Sequence, residues 1–331
     1  MIKVLKNPYY VDGNSLCVGT HNGIFHCDEV IAISILNIMY NEIKNINVIR
    51  TRNLEILNEK ANLIIDIGAG KFDHHQKGGN GKRTNGIEYA SSGLVWREFG
   101  KDVIQSLSKG SITDDKSIDE LFNEIDENII QNIDKEDNGQ KVSYHQFQFI
   151  KDFLPNWNSE TIDYDKNFEI CVNISSEILK NIIANCIAKH IAKKEIKHRI
   201  ESTDTHIKNI LVLPSQTIPW TDDIIDYNES TQKNDVIDFV VFPYPDGGYA
   251  LQCVPPSKEN PFAQRISLPD EWAGETINLP QISNIKSSTF CHRGKFFARA
   301  LEFNDIIKMC EIATNKSYTE NTSVKKLGKR Q

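Results

Sequence analysis

The chain has 331 residues, of which 39% are hydrophobic and 25% are charged, and its formal net charge at pH 7 is −7. This composition is ordinary for a soluble globular protein, and the acidic balance excludes a protein that coats nucleic acid by bulk attraction. An enzyme that binds a phosphate chain in a local basic groove remains compatible with it. A single core rarely grows beyond about 250–300 residues, so the length favours two domains.

Cysteine usage and the N-terminus bear on where the protein works. Seven cysteines are scattered without a C-x-x-C pair, which indicates reduced thiols rather than a disulfide framework or a structural zinc site. No run approaches the roughly 18 apolar residues of a membrane span, and the N-terminus shows neither a signal core nor a transit-peptide composition. We therefore expect a cytoplasmic or nuclear protein with no membrane partner.

The first hundred residues predict a parallel sheet with crossover helices, because short apolar strands alternate with helical segments. The predicted strands are 15–20, 46–51, 62–68 and a short fourth strand that ends in KFDHH (71–75), and the predicted helices are 28–43, 54–61 and 91–107. Ligands bind at the carboxyl ends of the strands in such sheets. The segment HNGIFHCDE (21–29), Asp66 and the segment DHH (73–75) all fall at that edge.

After residue 115 the predicted structure is mainly helical, and after about residue 205 it consists mainly of strands and turns. SIDE (117–120) is a capping box that opens a helix, Asn138-Gly139 is a typical helix stop, and a second long helix is predicted over 169–198. A hairpin over 235–255 with its turn at 246–248 follows, and 288–300 reads as a strand with a tight turn before a closing helix. The predicted fold is α/β: a parallel-sheet domain (1–165), a connecting helix (166–204) and a smaller α+β domain (205–331).

The polar residues at the sheet edge form a set of metal-ligand types. A lone histidine or strand-end aspartate is more often hydrogen-bonded than bound to metal, but three histidines and three carboxylates on one edge favour a metal site. Mixed imidazole and carboxylate ligands suit manganese, iron, cobalt or zinc better than magnesium. With one shared donor, two ions about 3.5–4 Å apart could clamp a phosphoester. The candidates are His21, His26, Asp28, Asp66, Asp73, His74 and His75, with Asp134 or Asp137 from DKEDNG.

The loop after the two histidines is rich in glycine and carries Lys77, Lys82 and Arg83. Its backbone could approach an anion closely, and a solvated mobile loop is an equally good interpretation. Arg52 is a weaker candidate for binding phosphate. Zinc-deaminase chemistry and a nucleophilic Cys27 beside His26 are minor alternatives, because Pro-Cys-x-x-Cys is absent and no third orienting group is evident.

The segments GTHNGIFHCDE, VIRTR, LIIDIGAGKFDHHQ, ASSGLVW, DKEDNG, LPNWN, ALQCVP and FCHRGKFFA resemble successive blocks of the melanocyte-proliferating-gene-one family. That family has been labelled as metal-dependent protein hydrolases and is similar to the DHH phosphoesterase superfamily of RecJ-type exonucleases and inorganic pyrophosphatases. The resemblance covers nearly the whole chain. It implies a DHH-like α/β domain followed by a smaller domain that grips the substrate.

The resemblance also implies roles for single residues. His26 stands where the superfamily usually has an aspartate. Asp66 matches the bridging carboxylate, His75 faces the scissile phosphate, and Asp73 orients the histidine pair. The implied metal ligands are His21, His26, Asp28, Asp66, His74 and Asp137, and the implied substrate contacts are His292, Arg293 and Gly294 together with the loop cations.

These observations lead to a functional expectation. We expect a 3′→5′ exoribonuclease that acts on single-stranded RNA with one or two divalent ions, Mn²⁺ first and Mg²⁺, Co²⁺ or Zn²⁺ next, through in-line attack of a metal-bound hydroxide. One alternative is a regulatory module that binds metal or nucleotide without catalysis. Another is a hydrolase of short oligonucleotides or pyrophosphate-like molecules. A homodimer is left open.

Overall fold

The computed structural model describes residues 2–8, 15–40, 45–159, 163–202, 204–231 and 235–327, with side chains up to 317. The chain divides into two compact units, residues 1–190 and 191–331. The boundaries drawn from the sequence at 165/166 and 204/205 stay a prediction. Each unit is described by itself.

The first unit is built on a four-stranded parallel sheet with the strand order β1-β3-β2-β4. Its strands are β1 (Ile2–Val4), β2 (Leu16–Thr20), β3 (Ile46–Arg50) and β4 (Leu63–Ile64). The parallel α/β sheet predicted from the alternation of strands and helices is confirmed. Strand β1 was not predicted, since three residues without flanking turn signals carry too little pattern.

The described helices that begin in the first unit follow in chain order, and the last of them continues past residue 190 into the second unit. They are α1 (Cys27–Tyr40), α2 (Leu54–Lys60), α3 (Ser91–Ser108), α4 (Asp115–Ile125), a π-helical turn (Asp126–Ile130), α5 (Gln131–Asp137), a 3₁₀ turn (Gln148–Phe153) and α6 (Tyr164–Glu201). Helix α1 is apolar on almost every side and is accordingly buried from Asp28 to Asn37. The last residues predicted for this helix, 41–43, lie outside the described residues.

Helix α6 is the one described helix that is long and apolar enough to cross a membrane by length and composition. Its apolar side chains Phe168, Cys171, Val172, Leu179 and Ile183 are fully buried in the core of the first unit together with those of α1 and α3. These buried side chains account for part of its hydropathy, and 39% of its most apolar stretch of 18 residues is buried.

Two local predictions were wrong. KFDHH does not end a strand: Phe72 forms a single bridge with Ile65, because the chain turns sharply between them with Asp66, Gly68 and Ala69 at positive φ. Helix α4 is capped by Asp114 rather than Ser117, because the Asp114 carboxylate accepts both the backbone N–H (2.9 Å) and the hydroxyl (2.7 Å) of Ser117.

The second unit contains a six-stranded mixed sheet with the strand order β5-β6-β7-β8-β10-β9. The strands are β5 (His206–Ile207), β6 (Ile210–Val212), β7 (Phe239–Pro243), β8 (Tyr249–Cys253), β9 (Ser288–Cys291) and β10 (Phe297–Ala300). The helices are α7 (Thr221–Ser230), α8 (Leu279–Ser283) and α9 (Phe303–Leu327), with a 3₁₀ turn at Asp270–Trp272. The predicted hairpin is confirmed: β7 and β8 pair antiparallel around Gly247 and Gly248, both at positive φ.

Candidate metal centre

Asp66 lies just beyond β4 and is the residue around which the polar side chains gather. Its φ of 61° places it in the left-handed region, which is unusual for a residue other than glycine and is tolerated best by asparagine and aspartate. Its backbone N–H donates to Phe72 O at 3.0 Å, so the turn is held from both sides. Such local strain is often found where a side chain must be aimed at a functional site.

One oxygen of Asp66 belongs to a first group of donors. His21 Nε2 is 3.3 Å from Asp66 Oδ2 and 3.2 Å from Glu29 Oε1. Together with His26 these side chains offer one ligand atom each, all within 4.8 Å of one another. His21 follows β2, and Glu29 lies in the first turn of α1.

The other oxygen of Asp66 faces a second group. His74 Nδ1 is 3.3 Å from Asp66 Oδ1 and 3.8 Å from Asp28 Oδ2, and His74 Nε2 is 2.9 Å from Asp137 Oδ2. Asp28 and Asp137 also form a group of close donor atoms with His26. Asp66 therefore belongs to two groups of close donor atoms, with Oδ2 toward His21 and Oδ1 toward His74 and His75, and Asp73 completes the second group.

The buried charge of these groups is unbalanced. The side chains of Asp28, Glu29 and Asp66 are fully buried, and none of them forms an ion pair with lysine or arginine among the described residues. Asp28 Oδ1 and Asp66 Oδ2 are buried without a hydrogen-bond partner. Burying unpaired charge is costly, so this arrangement favours a bound cation.

The pKa values of the side chains in these groups reflect the excess of buried carboxylates. Burial, reinforced by Asp66 and Asp137, raises the pKa of Asp28 well above its usual range. Burial opposes charge on His21, but its close contacts with Asp66 and Glu29 outweigh burial and raise the pKa of His21 to about 10. Burial likewise works against ionised Asp66, but the close contacts with His21 and His75 lower the pKa of Asp66. In the metal-free protein, protonated imidazoles thus provide part of the missing positive charge.

His75 is held by Asp73 at the mouth of the cluster. Asp73 Oδ1 accepts the backbone N–H of His75 at 3.0 Å and lies 3.1 Å from its Nδ1, while Asp73 Oδ2 accepts the N–H of Ala69 at 2.6 Å. The side chain of His75 is 57% exposed, and Asp66, by its hydrogen bond, raises the pKa of His75 to about 9. With Nδ1 engaged by carboxylates, Nε2 is the nitrogen that His75 can offer to a ligand.

The residues present fit a divalent ion. Imidazole nitrogens and carboxylate oxygens are the donors that manganese, cobalt, iron and zinc accept, and the orphaned Asp28 and Asp66 oxygens are free to coordinate. Asp66, with one oxygen toward each group, is arranged as a shared ligand.

A cleft of about 250 Å³ opens beside these groups. It is lined by His21, His26, Arg52, Asp66, Asp73 and His75, with backbone at Ile67 and Gly68. Arg52 is an exposed cation at its wall. Of the cations predicted to bind substrate, Lys77 and Lys82 are exposed and are not among the lining residues.

Arg83 is placed in a separate buried network. Its guanidinium forms a two-pronged contact with Asp126, at 2.7 Å for both pairs of atoms, and its Nη1 is 2.8 Å from Asp134 Oδ2. Asp134 Oδ1 in turn accepts the hydroxyl of Ser92 at 2.6 Å and the N–H of Gly93 at 3.0 Å. The structure thus pairs Asp134 with Arg83, while it places Asp137 against His74.

The substrate contacts predicted in the second unit lie in the turn between β9 and β10. His292, Arg293 and Gly294 are exposed, and Gly294 N–H donates to His292 Nδ1 at 2.9 Å. Lys295 in the same turn pairs with Asp270 at 2.5 Å. Their role in binding substrate stays a prediction.

Sequence reasoning missed Glu29, Ser91 and Ser92. Glu29 could have been found from its position three residues after the helix-capping residue, where glutamate is typical. Ser91 Oγ donates to Asp66 Oδ1 at 3.0 Å, and its N–H donates to Asp28 Oδ2 at 3.3 Å. The two serines lie in the family block ASSGLVW, but that resemblance gave them no role, because their contacts depend on where the first turn of α3 packs.

The chain belongs to the uncharacterised protein family UPF0160, whose profile matches residues 17–314. It is 24% identical to the MYG1 exonuclease of Mus musculus over 310 residues, which covers 84% of this chain and 80% of the mouse protein. It is 26% identical to a MYG1 protein of Caenorhabditis elegans over 338 residues, with coverage of 94% and 98%, and 24% identical to the MYG1 exonuclease of Homo sapiens over 307 residues, with coverage of 84% and 80%. No solved structure matches the chain. The resemblance in family noted from the sequence is therefore confirmed, and the likeness to the DHH fold stays a prediction.

Proposed function

We propose that this protein is a divalent-metal-dependent phosphodiesterase that removes nucleotides from the 3′ end of single-stranded RNA. The observation that carries the metal dependence is the buried set Asp28, Glu29 and Asp66, which forms no ion pair with lysine or arginine among the described residues and lies beside histidines in three groups of close donor atoms. Relatives named exonucleases support the class of substrate. The preference for RNA and the 3′→5′ direction rest on the family resemblance.

The side chains around the cluster suggest how the reaction is assisted. Divalent ions bound to these ligands would supply positive charge to the phosphate and activate a water nucleophile. His75, cationic at neutral pH and held by Asp73, would donate from Nε2 to a phosphate oxygen as negative charge develops there. Arg52 would bind the same phosphate from the cleft wall.

The size of the cleft supports action at a chain end. At about 250 Å³ it lies just below the range of roughly 300–1,000 Å³ that is typical of small-molecule sites, so it suits one terminal nucleotide. A short substrate would fit as well, which keeps a hydrolase of dinucleotides or pyrophosphate-like molecules as the second candidate.

The test is a hydrolysis assay with purified protein, Mn²⁺ and single-stranded RNA labelled at its 5′ end. We expect a ladder of products that shorten from the 3′ end, release of mononucleotides, and loss of both on chelation. A strong preference for dinucleotides over a 20-residue RNA would favour the second candidate. Saturable nucleotide binding with no hydrolysis in Mn²⁺, Mg²⁺, Co²⁺ or Zn²⁺ would contradict the proposal and favour a regulatory module.

A further inference from the structure

Glu29 has a place in the candidate metal centre that its position in the helix does not explain. It is the third residue of α1, and both oxygens of its carboxylate accept the backbone N–H of His26, at 2.9 and 2.8 Å. This contact is one half of a capping box, in which glutamate and glutamine serve equally well. Helix capping by itself therefore requires a hydrogen-bond acceptor at this position but not a negative charge.

The burial of Glu29 goes beyond what a cap needs. Glutamate is almost never fully buried unless it is paired, whereas Glu29 is 0% exposed and forms no ion pair with lysine or arginine among the described residues. Its polar side-chain neighbour is His21 Nε2 at 3.2 Å, and that same nitrogen is 3.3 Å from Asp66 Oδ2. A single imidazole, even when protonated, can balance only one of the two buried carboxylates that it contacts, so a further cation is needed for the other.

A second, independent feature lies in the same group. Asp66 Oδ2 is buried and has no hydrogen-bond partner, and it belongs with Glu29, His21 and His26 to a set of donor atoms within 4.8 Å of one another. His21 Nε2 lies beside both carboxylates, so all three atoms converge on one small volume. An ion at that point would be bound by nitrogen and oxygen donors at ordinary coordination distances after small side-chain shifts.

We propose that Glu29 is a direct ligand of a divalent ion held together with His21, His26 and Asp66. This inference rests on the proposed metal-dependent function and deepens it, because it makes the two ion positions chemically unequal. The first position has two imidazoles and two carboxylates. The second, where Asp28 and Asp137 lie beside His26 and His74, is richer in oxygen. Nitrogen donors favour Mn²⁺, Co²⁺ or Zn²⁺, so we infer that Mg²⁺ enters the second position more readily than the first.

The first experiment measures bound metal without substrate. Full-length wild-type protein and Glu29→Gln are dialysed to equilibrium against Mn²⁺, and the ions per chain are counted by mass spectrometry of the metal. We expect two ions in the wild type and one in Glu29→Gln, with the affinity for the lost ion reduced more than 100-fold, beyond the 10–100-fold that an outer-shell residue costs. Glutamine keeps an acceptor for the His26 N–H, so α1 stays capped.

The matched control is Glu55→Gln. Glu55 is an exposed glutamate in the first turn of α2 and belongs to none of the groups of donor atoms. This variant should bind two ions like the wild type. If Glu29→Gln also binds two ions with affinities within threefold of the wild type, the proposal is wrong. A wild-type protein that binds no ion overturns both this inference and the metal dependence of the proposed function.

The second experiment needs no variant and separates a ligand from an orienting residue. A crystal structure of the wild type with Mn²⁺, located by anomalous scattering, should place a Glu29 oxygen about 2.0–2.3 Å from an ion. An ion bound by His21 and Asp66 with both Glu29 oxygens beyond 3 Å would contradict the proposal. Neither experiment measures hydrolysis. If the RNA assay failed, metal binding by Glu29 could still be judged from these two experiments.

Discussion

Two neighbouring serines in the first turn of α3 donate hydrogen bonds to two buried carboxylates. One carboxylate is paired with an arginine, and within the described ranges the other is not. Ser92 binds Asp134, whose charge is balanced within the chain by Arg83 at 2.8 Å. Ser91 binds Asp66, which with Asp28 and Glu29 has no such cation among the described residues. The comparison teaches that a buried carboxylate with its own arginine is a structural element, and that one without it indicates an ion from outside the protein.

The largest expected effect comes from Asp66→Asn. Asparagine tolerates the left-handed backbone at this position, so the turn is kept while the shared charge is lost. We expect RNA hydrolysis to fall by about 10⁴-fold, because a single electrostatic contact to the transition state is worth about 10²–10³-fold and this residue serves both groups of ligands. Initial rates at saturating Mn²⁺ measure the loss.

The unfolding curve in urea provides the control for this variant. Removing the Asp66 charge relieves repulsion with Asp28 but takes a partner from His21 and His75, so we expect only a small change in the stability of the metal-free protein. A variant that retained wild-type activity would remove Asp66 from the site, and a strongly destabilised one would make it a structural residue like Asp134.

Arg83→Met should show the opposite pattern. It removes the cation of the structural network and leaves Asp126 and Asp134 facing each other in a buried region. We expect the free energy of unfolding to fall by about 3–5 kcal/mol. Urea unfolding followed by circular dichroism measures it.

The number of Mn²⁺ ions bound by folded Arg83→Met should equal that of the wild type. Loss of an ion without loss of stability would show that the two carboxylate groups are not separate in function, and the comparison would fail.

The pH dependence of stability separates the same two groups. Burial raises the pKa of Asp134 from 3.8 to about 6, although Arg83, Ser92 and Gly93 favour the ionised form. Between about pH 4 and 6 the folded protein holds a proton that the unfolded chain has released, so this residue makes stability fall as the pH rises through that window. The contribution is at most about 3 kcal/mol and is complete above about pH 6.

The measurement is the free energy of unfolding of the wild type minus that of Asp134→Asn, taken at several pH values in the presence of a chelator. The difference should decrease from about pH 4 to 6 and then stay constant. A difference that rises over this window would mean that Arg83 dominates burial and lowers the pKa of Asp134.

The smallest expected effect concerns the exposed cations. Arg52 lines the cleft, whereas Lys77 does not. We expect Arg52→Ala to raise KM for RNA about tenfold, which corresponds to roughly 1.4 kcal/mol and is within the worth of one charged hydrogen bond. Lys77→Ala should change KM less than twofold. Equal effects of the two variants would place the glycine-rich loop on the substrate path.

Much of the fold could be predicted from the sequence, because the signals for these elements lie within short segments of the chain. The parallel sheet, the buried helix α1 and the β7–β8 hairpin are each encoded by run length, apolar pattern and turn residues within a single segment. The cap of α4 was misread because Asp114 and Ser117 both suit a capping position, and only the hydrogen bonds separate them.

The candidate site was only partly readable. The sequence brought His21, Asp66 and His74 to one sheet edge because the carboxyl ends of parallel strands share that edge. It could not separate Asp134 from Asp137, since both lie near the end of one helix. In the structure Asp134 forms an ion pair with Arg83, whereas Asp137 contacts His74. Arg83, predicted as a substrate contact, is buried against two carboxylates, and its binding to substrate stays a prediction without support from its position.

By itself, the sequence determined the family, the α/β architecture and the types of side chain at the sheet edge, because these depend on order and composition along the chain. Only the tertiary structure decided which carboxylates have a cation of their own. Charge balance is a property of neighbours in space: Arg83 reaches Asp126 and Asp134 across 43 and 51 residues of sequence, and in the part of the chain that the structure describes no arginine or lysine forms an ion pair with Asp28, Glu29 or Asp66. That distribution of buried charge distinguishes the candidate metal centre from the structural network beside it.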